Sequence, residues 1–142
     1  MTRAELVALL RRYRLTVVST VSNDGSPQSA VVGFAVSDDL EIVFDTQAST
    51  RKAQNLGRDA RIALVIGWEH GVTVQLEGLA DFPEGSDLQR LRECYFAAYP
   101  DGRERLSWPG ITHVRVRPRW LRISDFGQKP VHIVETTAAR LA

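Results

Sequence analysis

The sequence predicts a mainly β fold, an antiparallel barrel or sandwich of six to seven strands with short helices set between them. Three observations carry this. Runs of β-branched or alternating apolar residues recur along the chain, and clusters of turn formers join several of them at short range. Strand and helix signals do not alternate regularly, which argues against a doubly wound parallel sheet. A chain of 142 residues has the size of one domain, so residues 1–142 read as a single unit. Its hydrophobic content of 44% supports a core with no disulfide or metal staple.

The elements follow in order. Thr2 and Glu5 have the spacing of a capping box, in which hydroxyl and carboxylate each satisfy a backbone N–H of the first helical turn. Leu6, Leu9, Leu10 and Tyr13 then share one helical face. Arg11, Arg12 and Arg14 suit the negative end of the helix dipole or, alternatively, an anionic ligand. Residues 15–21 are rich in β-branched side chains, residues 23–27 are dense in turn formers, and residues 28–36 read as a second strand. Asp38 and Asp39 mark a turn before a third strand over 40–46. Residues 49–56 read as a short helix capped by Ser49 or Thr50 and stopped by Gly57. Strands resume over 61–66 and over 72–78, the latter alternating as a half-buried strand does. The longest helix is predicted over 86–99, with Leu88, Leu91, Cys94 or Tyr95, and Ala98 along one face, and Pro100-Asp101-Gly102 ending it. Residues 111–117 and, beyond Pro118, 120–124 give the last strands. From Gly127 the chain has no clear period, so residues 127–142 are expected to form a loosely ordered tail.

Composition and motif content exclude several functions. Eighteen basic residues against seventeen acidic ones leave a net charge of +1, too balanced for a protein dominated by phosphate neutralisation, so no nucleic-acid partner is expected. The single cysteine, Cys94, allows neither an internal disulfide nor a cysteine zinc site. On the apolar face of its helix it reads as an inert thiol. His70, His113 and His132 follow no metal-ligand spacing. The dinucleotide fingerprint, the phosphate-loop lysine and the nucleophile elbow are all missing. The N-terminus lacks the apolar core of a signal peptide. The longest apolar stretches, 30–36 and 62–68, reach seven residues, against about 20 for a membrane span. A soluble, cytoplasmic protein with no membrane partner is the expectation.

The segment from residue 42 to residue 52 concentrates the chemistry. A strand ending at Thr46 leads to Ser49-Thr50-Arg51-Lys52, which opens a helix. Hydroxyls, free N–H groups and two cations at a helix start suit a phosphate monoester. The planar fork of Arg51 can bind two phosphate oxygens, and Lys52 adds a point charge. The same pattern also fits a capped surface helix with solvated cations.

Thr46, Thr50, Arg51 and Lys52, followed by Ala53, Leu56, Arg61 and the apolar run 62–66, resemble the phosphate-binding segment of the pyridoxamine 5′-phosphate oxidase-like FMN-binding split barrels. Asp24-Gly25-Ser26-Pro27 resembles that family's first hairpin, and residues 74–78 resemble its strand ending in Glu-Gly. The resemblance implies a split barrel in which Arg51, Lys52 and the hydroxyls of Thr46, Ser49 and Thr50 surround the FMN phosphate. The backbone of Val31 and Val32 would lie along the isoalloxazine ring. It further implies a homodimer with the cofactor at the interface, Thr73 or Gln75 coming from the neighbour. The implied function is that of an FMN-dependent oxidoreductase acting on a small molecule, with no metal and no side chain singled out as catalytic, since flavin carries such chemistry. A reductase using a deazaflavin coenzyme, a flavin-storing or stress-related protein without turnover, and a dimer without cofactor are the alternatives.

The sequence also departs from the resemblance. Pyridoxamine phosphate oxidases carry a basic pair on the second strand, for cofactor and substrate phosphate, and the aligned positions here are Ala30 and Ala35. Oxidation of pyridoxamine phosphate is therefore not expected, and Arg61 or the late arginines become candidates to support the cofactor. His113, Arg115, Arg117 and Arg119 recur at period two, either as a solvated sheet face or as a wall facing an anion. Trp108 and Trp120 either stack on a bound ring or fill the barrel end.

Overall fold

The computed structural model describes residues 1–141. An antiparallel sheet curls around one core, with strands β1 (Leu15–Val21), β2 (Pro27–Gly33), β3 (Ala35–Val36), β4 (Ile42–Gln47), β5 (Arg61–Ile66), β6 (Val72–Asp81), β7 (Ile111–Asp125) and β8 (His132–Thr137). The spatial order is β2-β1-β5-β6-β7-β4-β3, with β8 added beside β7. Helix α1 (Arg3–Leu10) begins at the Thr2–Glu5 capping box and buries Leu6, Val7 and Leu10 in the core. Val18, Phe44, Leu64, Leu76, Val114 and Leu121 meet them from the strands. Helix α3 (Gly85–Ala98) covers the opposite face of β4, where Leu91, Tyr95 and Phe96 pack with Ala35 and Val43. Neighbouring residues of β4 therefore face two different cores, and the strand is buried on both sides.

Three strand expectations need correction. The strand predicted over 28–36 breaks at Phe34 into β2 and β3. The predicted pair 111–117 and 120–124 is one strand, β7, whose first half pairs with β4 and whose second half pairs with β8. Its irregularity lies at Pro118, which has no N–H. Opposite it the register slips, so that Glu77 pairs with Trp120 and Gly78 with Pro118, leaving Arg119 bulged out. Gly78 is needed there, because a Cβ would press on the Arg117 carbonyl. Residues 132–137, which show no period, form the edge strand β8 rather than a tail. Its side chains are mostly exposed, so no buried face marks it in the sequence.

Helix α3 ends at Ala98, just before Pro100-Asp101-Gly102, and a separate 3₁₀ helix, Pro100–Ser107, follows it. Leu40, predicted as the first residue of a strand, instead sits at φ +62° in the turn closed by Leu40 N–H to Ser37 (3.0 Å), with its side chain buried. Among the described residues no helix is long and apolar enough to cross a membrane.

Candidate functional site

Helix α2 (Arg51–Arg58) begins at Thr50 immediately after β4. The Thr50 hydroxyl accepts from the Ala53 N–H (3.3 Å), donates to the Gln47 carbonyl (2.9 Å) and so takes the hydroxyl of buried Thr46 as a donor (2.9 Å). Thr50 thus caps the helix, and Thr46 supports the cap through its hydroxyl. Ser49, the other candidate cap, is exposed, and its carbonyl accepts from Gln54. The first backbone N–H groups of α2 are left for an outside acceptor, as at any helix start.

A cleft of about 160 Å³ opens beside this start. Arg51 and Lys52 line it from α2, Gln28, Ser29 and Ala30 from β2, and Val18 and Thr20 from β1. Among the described residues, neither Arg51 nor Lys52 has a carboxylate in salt-bridge contact. Lys52 is half-buried; burial lowers its ammonium below the ordinary value of 10.5, with the charge of Asp45 opposing. An anion in the cleft would relieve that cost. Behind the cleft Asn55 is buried and bonds Thr20, Gln28 and Arg58. Ala30 faces the cleft, whereas Ala35 lies past the Phe34 break in a separate cleft of about 450 Å³ with Arg11, Arg14, Cys94 and Tyr99. The two positions thus serve different cavities.

The other predicted contacts lie on the outer face of the sheet. β2 is an end strand, so the backbone of Val31 and Val32 has one free edge, and the Val31 side chain is 60% exposed. Val31 pairs with Val17, Val17 with Val65 and Val65 with Gln75, which places Val31 and Gln75 on one face, three strands or about 14 Å apart. Thr73 is two residues from Gln75 and shares that face. Thr73 and Gln75 are thus not brought to the cleft of their own chain. Leu15, Val65 and Ile133 are exposed on the same outer face. Arg61 is engaged by Asp59 (2.6 Å), whose carboxyl that arginine holds down to about 2.

The late basic stripe has the predicted alternation, but its halves differ in exposure: Arg117 (3.3 Å from Asp81) and Arg119 are exposed, as a solvated face requires, and the first two members are not. Val114 and Val116 face the core, while His113 and Arg115 lie buried on the α3 side. Arg115 pairs with Asp81 (2.7 Å), Glu41 (3.2 Å) and Asp87 (3.4 Å), so it forms neither a solvated face nor a wall for an anion. Arg90 adds two bonds to Glu41 (2.7 and 3.0 Å), and with Ser37 and Arg115 they hold that carboxyl down to about 2 against its burial. Arg105 pairs with Asp45 (2.7 Å) and Asp101 (2.9 Å). Burial pushes the Tyr95 phenol up, and it bonds the same Asp45. His113 is 1% exposed with neither ring nitrogen hydrogen-bonded; burial, aided by Arg92, lowers its pKa. Trp108 is half exposed and Trp120 donates to Glu135 (2.7 Å), so neither fills the barrel end. Cys94 is half-buried, and burial raises its thiol.

The acidic partners of these arginines escape a reading of the sequence, because Glu41 and Arg115 are 74 positions apart. Gln28, Thr20 and Asn55 escape it for the same reason. Their polar positions inside β1, β2 and α2 were the only available signal.

The chain matches a family model described as pyridoxamine 5′-phosphate oxidase over residues 2–123. It is 30% identical over 109 residues to the pyridoxine/pyridoxamine 5′-phosphate oxidase of Yersinia enterocolitica, covering 77% of this chain and 49% of the oxidase. The chain therefore spans about half the length of that relative. A heme binding protein from Mycobacterium smegmatis has the same fold, with a TM-score of 0.83 at 18% identity over 98% of this chain and 59% of that one. A pyridoxamine 5′-phosphate oxidase-related, FMN binding protein from Nostoc punctiforme superposes with a TM-score of 0.66 at 15% identity, covering 95% and 92% of the two chains. By sequence match and by fold, this chain belongs to the pyridoxamine 5′-phosphate oxidase-like family of split barrels.

Proposed function

We propose that this chain is an FMN-binding oxidoreductase of small molecules. Its α2 cleft holds the flavin phosphate, and its β2 edge receives the ring at Val31 and Val32. The observation that carries this is the pair Arg51 and Lys52, two cations without carboxylate partners among the described residues, at one helix start beside a cleft of about 160 Å³. Bound flavin supplies one- and two-electron redox chemistry; the residues bind, orient and exclude water. We further propose a homodimer in which the outer sheet face, with exposed Leu15, Val31, Val65 and Ile133, is covered by a second copy. Thr73 or Gln75 of that copy would then complete the ring site. Pyridoxamine phosphate is not the substrate in this proposal, because Ala30 and Ala35 offer no cation at the strand positions aligned with the oxidases.

Heme, named for the Mycobacterium smegmatis structure, is less well supported, since no histidine lines the α2 cleft: His113 is buried beneath α3, and His70 and His132 lie elsewhere on the surface. The test is the absorbance of purified protein before and after adding FMN or the deazaflavin coenzyme, followed by turnover with a nicotinamide donor. Flavin bands shifted by binding, and donor oxidation, are expected. A protein that shifts neither spectrum contradicts both redox readings, and binding without turnover points to storage.

A further inference from the structure

Behind the α2 cleft, one hydrogen-bond direction dictates the next. Arg58 Nη2 donates to Asn55 Oδ1 at 2.9 Å. A guanidinium has donors only, so the Asn55 atom that meets it must be oxygen, and the amide nitrogen must face the other way. The two protons of that nitrogen go to Thr20 Oγ1 and Gln28 Oε1, each at 2.9 Å. Asn55 and Thr20 are each 3% exposed, so water does not compete for these bonds. With its oxygen turned to Asn55, Gln28 carries its NH₂ on the other side of the amide. Thr20 accepts from Asn55 on one lone pair and keeps its proton to donate. Both residues line the cleft beside Arg51 and Lys52.

We infer that the Arg58–Asn55 relay turns donors toward the α2 cleft, so that the Gln28 amide and the Thr20 hydroxyl join Arg51 and Lys52 in binding an ionised phosphate monoester. An ionised phosphate presents acceptors alone and so pairs with each of these donors. Ala30 leaves room for the anion to reach Gln28. The identity of the bound molecule as FMN rests on the function proposed above. The polarity of the cleft does not, because inorganic phosphate reads it directly.

Asn55→Asp tests the relay. The new side chain keeps the shape and the Arg58 contact but has no N–H. Gln28 must then turn its NH₂ inward and show its oxygen to the cleft, and Thr20 must donate inward as well. Thr20→Val removes one donor with no change of charge. FMN and riboflavin are titrated by flavin fluorescence and inorganic phosphate by amide chemical shifts, with thermal melts to confirm folding. The wild-type chain is expected to prefer FMN over riboflavin at least about tenfold, and FMN affinity to fall ~100-fold in Asn55→Asp and ~10-fold in Thr20→Val, with riboflavin unchanged. Inorganic phosphate follows FMN. A folded Asn55→Asp chain that keeps the wild-type preference for FMN overturns the inference. If that variant does not fold, unchanged FMN affinity in Thr20→Val overturns it instead. Should wild-type protein bind phosphate, Asn55→Asp not bind it, and neither bind flavin, the relay stands and the flavin assignment falls. Wild-type protein that binds neither phosphate nor flavin refutes both.

Discussion

The cations at the start of α2 and those beneath α3 differ in one respect, and the difference separates binding from architecture. Arg90, Arg105 and Arg115 each hold at least two carboxylates among Glu41, Asp45, Asp81, Asp87 and Asp101. Their charge is spent inside the fold. Arg51 and Lys52 stand beside a cleft with no such partner among the described residues and with a capped helix start behind them. A period-two run of basic residues looks the same in sequence whether it faces carboxylates or water. What distinguishes the two groups is where acids from distant segments come to lie.

Removing a cation from each region should break the symmetry most visibly. Arg115→Ala removes a buried guanidinium and takes a partner from buried Glu41 and from half-exposed Asp81, and chemical denaturation should show a loss of about 3–5 kcal/mol. Arg51→Ala should change stability by no more than about 0.5 kcal/mol, as an exposed side chain without a partner does. Equal losses at both positions would erase the distinction.

Acid should act on the α3 region in two windows. His113 has its pKa lowered in the fold below the ordinary 6.5, so the unfolded chain binds more protons as pH falls below that value and stability drops with it. Glu41 is lowered from 4.5 to about 2, chiefly by its bond to Arg90, so its contribution is whole above pH 4.5 and is lost as pH falls toward 2. The His113 ring packs edge-on with Tyr95 and Phe96, with Arg92 and Arg105 as positive neighbours and Asp45 as the opposing charge. His113→Phe should flatten the upper window and leave the lower one in place. Melting temperatures between pH 7.5 and pH 3 read both, and an unchanged upper slope in the variant would show that another group titrates there.

Much of the fold was legible in the sequence because its signals are local. The Thr2–Glu5 box, the β-branched run of β1 and the alternation in β6 each act within a few residues. Thr50, Arg51 and Lys52 were likewise legible as a helix start, since a cap and its cations are neighbours in the chain. The illegible parts depend on tertiary context. β8 carries no buried face, and its strand exists because β7 offers an edge. Pro118 reads as a strand boundary, yet a bulge opposite Gly78 carries β7 past it. Leu40 has a strand former's side chain in a turn's backbone. Arg115 reads as a surface residue until Asp81 and Glu41 arrive from β6 and the turn before β4. Gln28 has the polarity of an edge residue, and only Asn55 behind it gives its amide a direction.

Arg51 and Lys52, with no carboxylate partner among the described residues, are proposed to make the α2 cleft a phosphate site. The most direct measurement is the FMN dissociation constant of the wild-type chain and of Arg51→Ala/Lys52→Ala, taken with both melting temperatures. A loss of at least about 100-fold in FMN affinity with the melting temperature unchanged is the expected result, since each contact from a cation to phosphate is worth about 1.5–3 kcal/mol. Equal FMN affinity in the two proteins would contradict the claim and move the phosphate away from α2.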